Sequence, residues 1–123
     1  MNLQDFFTVS GSSYEEIHNR IISSDSLLKK FLRQFLEDTT FKSLEQAISK
    51  KEYKNVFFAS HSLKGVCSNL GLSNLEKKLI VLLEYLRTNS ENPNIDEEYC
   101  NDLFYQIKQD YEKVTNAIKT LEN

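Results

Sequence analysis

Ala59-Ser60-His61-Ser62-Leu63-Lys64-Gly65-Val66-Cys67-Ser68-Asn69-Leu70-Gly71 is a run whose apolar residues recur at three- and four-residue intervals. With successive residues about 100° apart around a helix, Val56, Ser60, Leu63, Cys67 and Leu70 fall within roughly 80° of one another. They form a core-facing seam. His61 points about 150° away from the centre of that seam, which places it on the solvent side. Gly71 suits the left-handed position just past a helix end, so the spacing predicts a helix from about Tyr53 to Leu70.

Working outward, Ser73 and Glu76 have the form of a capping box, and Leu75, Leu79, Leu82 and Leu86 continue as one stripe. So short a connection makes this helix an antiparallel neighbour of the first. On the other side, a long helix from about Leu27 to Ser49 is expected, with Leu32, Leu36, Leu44, Ala47 and Ile48 as its core stripe. Leu28, Phe31 and Phe35 make a second stripe on it, rotated from the first, which something must cover. Ser13 with Glu16 marks a short helix from about Tyr14 to Ile22, followed by a turn over Ser23 to Ser26. The stretch from Thr88 to Asn94 reads as the longest loop. Asn94 with Glu97 then caps a last helix whose stripe is Tyr99, Leu103, Ile107, Tyr111, Val114, Ile118 and Leu121. The expected fold is all-α, an antiparallel four-helix bundle with a short additional N-terminal helix. It forms one domain over residues 1–123, with the bundle at about 14–121 and residues 1–12 as an extension.

Composition agrees with that reading. The chain has 123 residues, three glycines and one proline, with 40% hydrophobic and 27% charged residues, which is the make-up of one helical globular domain. No apolar run approaches the roughly 20 residues that span a bilayer, and the polar start after Met1 has no signal-peptide pattern. A soluble, cytoplasmic protein is expected, with no membrane association. The net charge of −3, with basic residues spread along the chain, argues against nucleic acid as a partner. Cys67 and Cys100 lack metal or redox spacing and are read as reduced thiols, at least one of them filling core.

The chemistry concentrates around His61. A neutral imidazole is a nucleophile near pH 7. Lys64, nearly one turn on, can bring its ammonium to phosphoryl oxygens beside the ring. Gly65, one turn after His61, costs about 1 kcal/mol of helix propensity relative to alanine, and it leaves the imidazole open to something bulky. Phe57 and Phe58 are large rings off the core seam, where exposed aromatics point to protein docking. Nothing else in the chain completes an enzyme site: there is no glycine-rich phosphate loop, no HExxH and no activated serine or cysteine motif. His18 has no lysine or glycine at matching spacing and is read as a structural or surface histidine. Asn69 is read either as a cap of its helix or as a phosphate contact.

The string His61-Ser62-Leu63-Lys64-Gly65 followed by Asn69-Leu70-Gly71 resembles the signature of histidine-containing phosphotransfer (HPt) domains of two-component phosphorelays. The likeness extends from about Tyr14 to the C-terminus and includes Phe35-Leu36-Glu37-Asp38. Ser60 departs from it, standing where the family usually has alanine. The resemblance implies a phosphocarrier that is not itself a kinase. His61 would accept a phosphoryl group from a receiver-domain phospho-aspartate and pass it to another receiver's aspartate, with Lys64 and Gly65 beside it. It also implies response-regulator receivers and a hybrid sensor histidine kinase as partners. Magnesium would belong to the receiver, leaving no cofactor or metal on this chain. The receiver would dock over His61 and over Ile17, Leu28, Phe31, Phe57, Phe58 and Ser68, although Ile17, Leu28, Phe31 and Phe35 can equally pack the first short helix against the bundle, and a monomer is expected. The competing reading is a receiver-binding or purely structural bundle without phosphotransfer.

Overall fold

In the computed structural model, which describes residues 1–20, 23–89 and 95–122, the chain forms helices joined by tight turns, with no strand among the described residues. In chain order the helices are α1 (Leu3–Ser10), α2 (Tyr14–Arg20), α3 (Asp25–Phe35), α4 (Thr40–Ser49), α5 (Tyr53–Leu70), α6 (Ser73–Asn89) and α7 (Glu97–Ile118). α4 packs on α5, α5 on α6, α6 on α7, and α7 back on α4, which closes a four-helix ring. α3 extends the α4 corner and touches α5 and α7, while α1 lies against α6 and α7. The all-α bundle with added N-terminal helix is therefore the architecture observed.

The core runs through the ring. The α5 seam of Val56, Ser60, Leu63, Cys67 and Leu70 is buried as the spacing predicts, and it meets Leu75, Leu79, Leu82 and Leu86 of α6. Both cysteines are free and buried, so each fills core. Burial pushes the Cys67 thiol well above its usual range, and it pushes Cys100 up to about 11 with help from Asp96 and Glu97. Neither is a nucleophile near neutral pH. Gly71 takes φ 71°, ψ 29°, and the Leu72 N–H donates to the Cys67 carbonyl at 2.9 Å, the six-residue return that ends a helix at a left-handed residue. That turn fixes α5 and α6 as an antiparallel hairpin.

The structure corrects several details. The helix expected over Leu27 to Ser49 is two helices, because Asp38 Oδ1 accepts the Thr40 N–H at 2.7 Å and restarts the chain as α4. The break also removes the puzzle of two stripes. α3 buries Leu28, Leu32 and Phe35, α4 buries Phe41, Leu44 and Ala47, and each uses its own face. Ser24 caps α3 by accepting the Leu27 N–H. Ser73 is not the cap of α6: the Leu72 carbonyl accepts the first helical N–H, from Glu76, and the Ser73 hydroxyl bonds instead to Ser12. α7 is capped by Asp96, whose carboxylate accepts the Tyr99 N–H at 3.0 Å, and its seam starts at Cys100 with Tyr99 turned out against Tyr85. The expected cap Asn94, the last residues of the expected first helix (Ile21 and Ile22), and most of the loop to Asn94 lie outside the described residues.

Residues 1–12, expected as an extension, hold α1. Asn2 caps it, Gly11 ends it at φ 88°, and Leu3, Phe6 and Phe7 are buried in the main core. The α1–α2 turn is seated on the α5–α6 turn. Ser12 Oγ donates to the Gly71 carbonyl at 2.5 Å, and the Ile17 side chain occupies the space a Cβ on Gly71 would need.

Candidate functional site

α5 presents the site because its seam is fixed on two sides. Leu63 and Cys67 anchor it inward against the bundle, so His61, pointing the other way, is exposed. The imidazole makes no hydrogen bond or ion pair among the described residues. Its one ring contact among the described residues is Phe57, four residues earlier, with centroids 6.5 Å apart and planes only 3° from parallel.

Lys64 is half-buried, and no carboxylate among the described residues pairs with it. A long aliphatic stem lying on the protein surface with an uncommitted ammonium at its tip is suited to meeting an incoming anion. Beside His61, a Cβ built on Gly65 would meet nothing within 4 Å. The surface next to the imidazole is open, as the sequence predicts.

Two grooves flank α5. One, of about 400 Å³ between α3 and α5, is lined by Phe31, Gln34, Phe35, Asp38, Val66, Asn69 and Leu70. The other, of about 490 Å³ between α4 and α5, is polar, with Thr40, Ser43, Asn55 and Ser62 along it and Phe58 on its wall. Phe58 is 65% exposed and Phe31 37% exposed, and Ser68 is also at the surface. Those three candidates for docking are accessible.

Ile17 and Leu28 are not. They are 2% and 0% exposed, the first packed on Gly71 and the second in the α3 core face, so they join α2 and α3 to the bundle and offer no area to a partner. Phe57 is intermediate: half-buried against the core, with Phe58 edge-on to it at 5.8 Å. The Asn69 side chain caps nothing among the described residues; the end of α5 is closed by backbone N–H groups, and Asn69 lines the α3–α5 groove. The His18 ring lies tilted against Tyr14, with planes at 38°, and its Nε2 is 3.8 Å from Asp25, which links α2 to the start of α3. Sequence reasoning missed the Phe57–His61 pairing and the part of Val66 in the groove. The i, i+4 spacing of Phe57 and His61 was the available signal for the first.

No helix among the described residues is long and apolar enough to cross a membrane. Comparison with family models matches residues 26–117 to the Hpt domain, a span that runs from α3 into α7 and contains His61, Lys64 and Gly65. Neither the curated proteins nor the solved structures yield a match to this chain. With the matched span covering most of the chain and the helical bundle formed around it, the protein belongs to the Hpt domain family, the phosphocarrier modules of histidine phosphotransfer in two-component phosphorelays.

Proposed function

We propose that this chain is a phosphorelay intermediate in which His61 accepts a phosphoryl group from the phospho-aspartate of one receiver domain and passes it to the aspartate of another. The observation that carries the reading is the exposed imidazole with a lysine unpaired among the described residues and an unfilled surface beside it. In the first step a ring nitrogen of His61 supplies the electron pair for a new N–P bond. The P–O bond to the receiver breaks, and its carboxylate leaves with that bonding pair. The second step runs the same exchange with another carboxylate as nucleophile. Lys64 draws charge from the equatorial oxygens as they pass through the transition state. Gly65 lets the receiver approach, with Phe31, Phe58 and Ser68 as the docking rim. Magnesium and the acidic pocket belong to the receiver in this scheme, a hybrid sensor kinase stands upstream, and the compartment is the cytoplasm, where such partners work.

The test is transfer of label from a phosphorylated receiver. The wild-type protein should acquire acid-labile, base-stable phosphate, and His61→Gln should acquire none. Lys64→Ala should slow transfer about tenfold, less than the loss on removing a donor from a fully enclosed site because this lysine is partly solvated. Receiver binding without any transfer would instead favour a sequestering module.

A further inference from the structure

The imidazole of His61 is exposed and has no hydrogen-bond partner among the described residues, which leaves open what orients it. Reactive histidines are commonly aimed by a carboxylate or carbonyl on the second ring nitrogen. Here the neighbour is Phe57, whose ring lies parallel and offset at 6.5 Å. Phe57 is itself held: it is half-buried against the core and braced edge-on by Phe58, with planes at 81°.

We infer that Phe57 is a positioning residue for His61, its ring serving as a fixed wall that selects one imidazole rotamer on α5. This rests on the phosphocarrier reading above. A helix geometry allows a side chain at position i to lie over the turn before it, toward i−4, in the rotamers available there. A flat ring at i−4, partly packed on the core, therefore favours imidazole poses parallel to it. An unrestrained histidine on a helix has about two χ1 wells and a roughly two-fold χ2, so as many as about four poses. Fixing one of them raises the competent population by that ratio without any new bond to phosphate.

The experiment compares Phe57→Leu, which keeps apolar bulk but removes the flat ring, with Phe57→Tyr, which keeps the ring. In the free protein, side-chain couplings and ring-proton shifts of His61 should report one dominant rotamer in the wild type and in Phe57→Tyr, and averaging in Phe57→Leu. With phosphorylated receiver, the maximal transfer rate of Phe57→Leu should fall about two- to fourfold, with the receiver concentration at half-maximal rate essentially unchanged, and Phe57→Tyr should restore it. A rotationally averaged His61 in the wild type overturns the inference, as does a loss in Phe57→Leu confined to half-saturation. The rotamer measurement needs no receiver, so it stands or falls separately from phosphotransfer itself.

Discussion

Position 65 shows how one residue can serve access at the expense of stability. An alanine there meets no atom within 4 Å beyond its own stretch of helix backbone and regains the helix propensity that glycine forfeits, so Gly65→Ala should stabilise the free protein by about 1 kcal/mol, seen as a melting point higher by about 4 °C. Gly65→Leu should remain folded but lower receiver affinity and transfer about tenfold or more; wild-type affinity in that variant would remove the steric role. Ser60 is a second residue-scale case. Its hydroxyl is buried on the α5 seam with no hydrogen-bond partner among the described residues. Ser60→Ala should gain about 1 kcal/mol in urea unfolding, since an unmet buried hydroxyl costs about 1–3 kcal/mol. The residues of the site were readable from sequence because helical spacing alone separates Lys64 and Gly65 from the seam. What spacing does not reveal is which off-seam residue ends up covered: Ile17 and Phe57 both carry large apolar groups, but only tertiary packing buries the first and half-buries the second beside His61.

At the scale of elements, turns decide which faces are presented. Gly71 lies at φ 71°, where a side chain is strained, and Ile17 fills the space its Cβ would need. Gly71→Ala should therefore destabilise the protein by about 2 kcal/mol or more, read from denaturant midpoints, and a neutral effect would show that the two turns separate easily. The hairpin was legible because a glycine stood at the end of a periodic run. The α3–α4 break was not, since the apolar residues from Leu27 to Ser49 keep helical spacing across it. The signal lay in Asp38-Thr39-Thr40, where a short acidic side chain captures a backbone N–H at 2.7 Å and wins over continued helix. α1 was missed for a related reason. Its stop at Gly11 and its cap at Asn2 enclose only eight residues, a length at which helix formation depends on tertiary burial.

For the whole molecule, the bundle's integrity reaches beyond the span that matches the family. α1 and α2 precede residue 26, yet Phe6 and Phe7 are fully buried with the α6 and α7 core. Phe6→Ala should cost about 3–5 kcal/mol in equilibrium unfolding, as for any large core truncation, although it lies outside that span. The overall architecture was legible because four amphipathic stripes joined by short connections admit few packings other than an antiparallel ring. Within that ring, α5 is gripped by α4 and α6 and leaves free the face that carries His61. The most direct measurement is to load the intact protein from a phosphorylated receiver and locate the phosphate by phosphorus NMR and by peptide mapping kept at neutral to alkaline pH. A single phosphoramidate signal assigned to His61, with His18 unmodified, is the predicted result; phosphate on His18 or on a hydroxyl, or none on the chain at all, would contradict it.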